Sequence, residues 1–156
     1  MKKKIGINIM LFVIISTGII ILSCSGAVKK VSDGELLKAD RAFSEMSVKE
    51  GMFKAFLFYM AEEGVILRDN SYPSKGKEDL RKRFEGRSDT SFVLSWDPLY
   101  EKISESGELG YTYGLHSNLD KATGKITKGT YITIWKKQSD GSWKFVLDTG
   151  TQGLPE

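Results

Sequence analysis

The chain has 156 residues, with 23 Lys+Arg against 20 Asp+Glu and a net charge of +3. The whole excess lies in Lys2, Lys3 and Lys4, so the remainder is balanced at 20 against 20 and gives no support to nucleic-acid binding, which needs a basic patch on the folded domain. One cysteine, Cys24, and one histidine, His116, exclude an internal disulfide and a His/Cys cluster of structural-zinc type; no metal site and no cofactor are expected.

The first element is an apolar run over residues 5–22 behind the three lysines. A cationic start followed by an apolar stretch reads as an export signal, its lysines holding the N-terminus on the cytoplasmic side. Ile21-Leu22-Ser23-Cys24 resembles the lipobox of bacterial lipoproteins. That resemblance implies cleavage before Cys24, lipidation of its thiol, and anchoring to a membrane of the cell envelope on the extracytoplasmic side. More than one acyl chain is needed, because a single chain holds a membrane only reversibly. An uncleaved anchor is the alternative; it needs ~20 apolar residues, and Asn8, Ser16 and Thr17 interrupt this run. Residues 1–23 are thus read as signal, 24–33 as tether and 34–153 as one folded domain.

Ser32-Asp33-Gly34-Glu35 has capping-box spacing and predicts a helix start. Leu36, Ala39, Phe43 and Met46 recur at helical intervals as a buried stripe. Ser47-Val48-Lys49-Glu50 is a second box, where the helix breaks and another begins. Met52, Phe53, Phe56, Leu57 and Met60 give that second helix a wide apolar face, ending near Gly64. Residues 65–68 predict a short strand and 69–76 a loop. Residues 77–85 predict a third helix, with Glu78 and Asp79 in its first turn and Arg81, Lys82 and Arg83 in its last. That basic end, with Arg87, reads as solvated.

From residue 92 onward the pattern is strand. Residues 92–96 and 99–104 are extended with a bend or bulge at Pro98. Strands are predicted over 109–117, 129–137 and 143–149, the last two joined through the hairpin signal Asp140-Gly141. Three helices followed by an antiparallel meander predict an α+β fold, helices packed on one face of a curved, mostly antiparallel sheet.

Asp40-Arg41-Ala42-Phe43-Ser44, Gly51, Ala55-Phe56-Leu57 and Lys75-Gly76-Lys77-Glu78 resemble the nuclear transport factor 2-like superfamily, and within it the SnoaL-like branch, domain-of-unknown-function family 4440. Ser95-Trp96-Asp97-Pro98, the run from Gly107 to Gly114, Trp135-Lys136-Lys137-Gln138 and Asp140-Gly141-Ser142-Trp143-Lys144 continue the resemblance over residues 35–153. It implies a cone-shaped fold, a pocket between helix and sheet, and commonly a homodimer packed through the sheet. The superfamily holds isomerases, cyclases and hydrolases as well as non-catalytic binding and assembly domains, so fold alone does not give function. Its enzymes combine one or two carboxylates with a phenol in an apolar cavity, where burial raises a carboxylate into the range of a usable acid or base.

Two carboxylates are candidates for that role. Asp40 lies four residues after Leu36 and three before Phe43, on the apolar face of the first helix. Asp148 interrupts the last strand; strict alternation pairs it with Lys144 and Val146, opposite Trp143, Phe145 and Leu147. Phe43, Tyr59, Trp96, Tyr111, Tyr113, Tyr131 and Trp135 are the candidate aromatic lining for a small apolar ligand, although an aromatic stripe is also what a plain core looks like. His116 has the parity opposite to Tyr111 and Tyr113 and reads as a surface or rim residue. Three functions stay open: a membrane-tethered, non-catalytic binder of an apolar or amphipathic molecule; a dimeric interaction module with a solid cone; and a small enzyme using Asp40 and Asp148 as general acid and base.

Overall fold

The computed structural model describes residues 34–154. The signal 1–23, Cys24, the tether 24–33 and the capping residues Ser32 and Asp33 lie outside the described residues. In chain order the elements are α1 (Glu35–Glu50), α2 (Met52–Tyr59), β1 (Met60–Leu67), β2 (Ser74–Lys75), α3 (Gly76–Phe84), β3 (Phe92–Ile103), β4 (Leu109–Asp120), β5 (Ile126–Lys137) and β6 (Trp143–Gln152). The architecture is α+β, as the pattern of elements predicts.

Long-range contacts fix both ends of the first helix pair. No side chain of the first turn caps α1. Glu101 of β3 does so instead: its carboxylate accepts the Gly34 N–H at 2.5 Å and the Leu37 N–H at 2.6 Å. Free N–H groups at a helix start favour an anion, whichever strand supplies it. The break falls at Gly51, four residues beyond the Ser47 of the second box. Its φ of 93° and ψ of 148° suit glycine, and an added Cβ would meet Asp89 Oδ2 at 2.7 Å. Asp89 in turn accepts the Phe53 N–H of α2 at 2.8 Å. Ser47 caps nothing and donates to the Leu94 carbonyl at 2.8 Å, docking α1 onto β3.

The six strands form one sheet in the order β2-β1-β6-β5-β4-β3. β3 to β6 are the antiparallel meander, while β1 begins earlier than expected and pairs parallel with β6, making the sheet mixed. Two irregularities decide which side chains face the helices. Pro98 pairs with Gly114 and Tyr100 with Tyr113, leaving Leu99 as an extra residue. Ile134 pairs with Leu147 and Trp135 with Phe145, leaving Val146 as an extra residue. Each bulge inverts the alternation beyond it. The bulge at Val146 therefore corrects the expected parity of Asp148: it faces inward with Phe145 and Trp143, not outward with Lys144.

The core centres on Phe43, which is 1% exposed. The rings of Phe56, Tyr59, Trp96, Trp135 and Phe145 surround it at centroid distances of 4.6 to 6.1 Å. Burying each such ring stabilises the fold by roughly 1.5–3 kcal/mol, with about 0.5–1.5 kcal/mol more for each well-oriented aromatic pair. On one side of this cluster, Phe56 and Trp96 face an open cavity.

Candidate functional site

The open end is a cavity of about 410 Å³ between the helices and the concave face of the sheet. Its helix side is apolar, with Met52 and Phe56 from α2, Leu80 and Phe84 from α3, and Ile66 from β1. Its sheet side mixes Phe92, Leu94 and Trp96 with His116, Asn118, Tyr131 and Asp148. Arg68, Asp69, Arg83 and Arg87 also line it, the last exposed and the third half-buried. Of the basic cluster expected to be solvated, Arg83 and Arg87 therefore line the cavity, while Arg81 and Lys82 are exposed. Arg83 makes only long contacts, 3.4 Å to the Ser71 hydroxyl and 3.5 Å to that of Ser74.

Glycines make the sheet side of this space. Gly114 faces Tyr131 and Gly129 faces His116 in the β4–β5 register. An added Cβ at Gly114 would stand 2.9 Å from the Tyr131 ring, and one at Gly129 would stand 2.4 Å from His116 Nε2. Missing side chains let both rings lie across the neighbouring strand.

Asp40 is fully buried beneath this wall and does not itself line the cavity. Its Oδ1 accepts the Trp96 indole N–H at 2.7 Å, and its Oδ2 accepts the Tyr131 hydroxyl at 2.7 Å. Thr112, buried on β4, accepts the Trp135 indole N–H through Oγ1 at 2.8 Å. Burial pushes the Asp40 pKa up, opposed by the donors from Tyr131 and Trp96. Burial and the neighbouring Asp40 charge push the Tyr131 phenol up as well.

Asp148 does line the cavity, yet both of its oxygens are taken. Arg68 Nη2 donates to Oδ1 at 2.5 Å, and Thr133 Oγ1 donates to Oδ2 at 2.8 Å. Ile66 and Asp148 are partners in the β1–β6 pairing, which brings Arg68, two residues further along, beside that carboxylate.

The aromatic candidates divide by place. Trp96 and Tyr131 line the cavity. Phe43 and Trp135 are core, and Tyr59 packs on Phe43 away from the opening. Tyr111 and Tyr113 are on the opposite, convex face, where Tyr113 is 45% exposed and stacks on Tyr100 with ring centroids 5.4 Å apart. Their parity puts them there, since the inward residues of β4 are Gly110, Thr112, Gly114, His116 and Asn118. His116 thus belongs to the cavity wall. Sequence reasoning also passed over Ser44, Arg68, Thr112 and Asn118. Ser44 Oγ donates to the Trp96 carbonyl and accepts the Trp96 N–H, both at 2.8 Å, and so aims that indole. The spacing of Asp40, Ser44 and Ser47 is one helical stripe, the signal that would have found it.

Among the described residues, no group of three His, Cys, Asp or Glu is placed to hold a metal ion, and no helix is long and apolar enough to cross a membrane.

No family model matches the chain, and no curated protein matches it. Solved structures do. A ketosteroid isomerase-like protein from Erwinia carotovora atroseptica is 16% identical with a TM-score of 0.58, covering 78% of this chain and 98% of its own. An NTF2-like protein with a cystatin-like fold from Novosphingobium aromaticivorans is 11% identical with a TM-score of 0.62, covering 76% of this chain and 79% of its own. A protein from Catenulispora acidiphila, in complex with S-DNPA, is 14% identical with a TM-score of 0.61, covering 76% of this chain and 91% of its own. The chain therefore has the nuclear transport factor 2-like, cystatin-like fold.

Proposed function

We propose that this domain binds a small apolar or amphipathic molecule in its open cavity, without chemical turnover. One observation carries the reading: every oxygen of the two inward carboxylates already accepts a hydrogen bond from the protein. Asp40 is held by Trp96 and Tyr131, is fully buried and does not line the cavity. Asp148 is held by Arg68 and Thr133. A general base needs an oxygen within reach of the substrate proton, and here a 410 Å³ space with an apolar helix side is offered instead. That volume suits a small ligand.

The finer placing within the SnoaL-like branch belongs to the same reading, supported by the motifs over residues 35–153. So does tethering: Cys24 at the end of the apolar run supports a lipid anchor holding the cavity outside the cytoplasm, tested by whether Cys24→Ala releases a cleaved chain from membranes. A homodimer is supported by the convex sheet face, where Leu99, Tyr100, Leu109, Tyr113, Leu115 and Ile132 are exposed.

The test of binding is native mass spectrometry of the full chain, purified gently from its own host, followed by denaturation and identification of released molecules. A stoichiometric apolar or amphipathic compound is expected. A bare chain that also takes up no 1-naphthol when it is added would overturn the proposal.

A further inference from the structure

The lining of the cavity is unevenly charged. Three arginines, Arg68, Arg83 and Arg87, stand against two aspartates, Asp69 and Asp148. The chain beyond its first four residues is balanced, so this is a local excess. The arginines are not equivalent. Arg68 is committed: its Nη2 donates to Asp148 Oδ1 at 2.5 Å and its Nη1 to the Leu67 carbonyl at 2.7 Å. Arg83 reaches only the Ser71 and Ser74 hydroxyls, at 3.4 and 3.5 Å, which carry no charge to offset its own. Among the described residues, no carboxylate oxygen stands within 4.0 Å of a side-chain nitrogen of Arg83 or Arg87.

The negative end of the α3 dipole favours a cation in the last turn, where Arg83 stands. It does not account for Arg87, which follows the helix. There the chain turns at Gly86, with a φ of 67°, and the Arg87 N–H donates to the Phe84 carbonyl at 3.0 Å. That turn returns Arg87 to the cavity that Arg83 lines. Phe84 lines it as well, and stacks on Phe53 of α2 with ring centroids 3.9 Å apart, which anchors this end of α3. Arg83 is half-buried and Arg87 exposed, so the two charges lie where the cavity meets solvent, beside an apolar interior.

Resting on the binding proposal above, we infer that the ligand is an organic acid bound as its carboxylate, the head read at the cavity mouth by Arg83 and Arg87 and the aromatic or aliphatic body lying against Met52, Phe56, Leu80 and Phe84. Two cations at one opening repel each other until an anion neutralises them, and a guanidinium presents paired N–H donors that match a carboxylate. A single negative charge also balances the excess of one positive charge on the lining residues. The cavity therefore selects for an acid over the neutral amide of the same shape.

The test is calorimetric titration of the full chain with 1-naphthoate and with 1-naphthamide, which have nearly the same shape and differ in charge. It is done near neutral pH, where a free carboxylic acid is ionised, with the non-ionic solubilising medium alone as blank. Naphthoate is expected to bind about fivefold tighter or more. An amide bound as tightly as the acid would overturn the inference and leave the binding proposal standing; no binding of either compound would overturn both. In the Arg83→Gln/Arg87→Gln variant the preference should fall to about twofold or less. An undiminished preference in that variant would overturn the assignment of the head to these two arginines, and the wild-type comparison stands even if the variant does not fold.

Discussion

Tyr131 donates its hydroxyl to Asp40 at 2.7 Å across 91 positions of sequence, joining the first helix to the fifth strand at the edge of the cavity. The bond orients the phenol and shields the carboxylate from the cavity that the Tyr131 side chain lines.

Removing that hydroxyl tests its structural weight. Tyr131→Phe should destabilise the fold by about 1.5–3 kcal/mol, the range for a hydrogen bond to a charged group. Tyr113→Phe, on the exposed convex face, should change stability by less than about 0.5 kcal/mol. Urea denaturation of both variants checks the contrast, and equal effects would mean that Asp40 does not rely on Tyr131.

Asp40 predicts a pH dependence with a definite sign. Burial raises its pKa in the fold above the ordinary 3.8. It then binds its proton more tightly when folded, so its contribution is full below pH 3.8 and is lost as pH rises through the folded value. The stability of wild type relative to Asp40→Asn should therefore fall as pH is raised above about 3.8. A difference that grows with pH would contradict this.

The pair of Arg68 and Asp148 gives a third expectation. Asp148 is 5% exposed, whereas Arg68 still reaches solvent. Arg68→Met leaves a buried carboxylate with only Thr133 as partner and should cost about 2 kcal/mol, below the range for a fully buried pair. Arg68→Met with Asp148→Asn should recover most of that loss. A double variant no more stable than Arg68→Met would show that the charge is not the cause.

Gly129→Ala tests the close packing of the wall. The new methyl would stand 1.8 Å from the Thr151 carbonyl oxygen and 2.4 Å from His116 Nε2. Overpacking of this kind costs about 1–3 kcal/mol, so a lowered Tm is expected together with a perturbed His116. A Tm equal to wild type would mean that the β4–β6 strands yield without cost.

Much of this fold was legible because it is written in local pattern. The stripe Leu36, Phe43 and Met46 and the Asp140-Gly141 turn each specify an element within a few residues. The helix ends were less legible. Glu101 and Asp89 accept the N–H groups at the starts of α1 and α2, and nothing local announces a cap from a distant segment. Asp148 shows the sharper limit. A single extra residue at Val146 inverts the strand, and a bulge is decided by packing against β5 rather than by composition. Tyr111 and Tyr113 were misassigned to the cavity because parity says which residues share a face but not which face is concave. Asp40 was found from helical spacing; its partners Trp96 and Tyr131 lie on two different strands and needed the register.

The indole N–H signal of Trp96 in a ¹⁵N–¹H spectrum tests the central claim most directly. Among the tryptophans, Trp96 lines the cavity, while Trp135 and Trp143 do not. Titration with 1-naphthol should shift the Trp96 signal saturably and leave that of Trp143 in place. No movement of the Trp96 signal at saturating probe, or equal movement of all the indole signals, would contradict a ligand-binding cavity at this site.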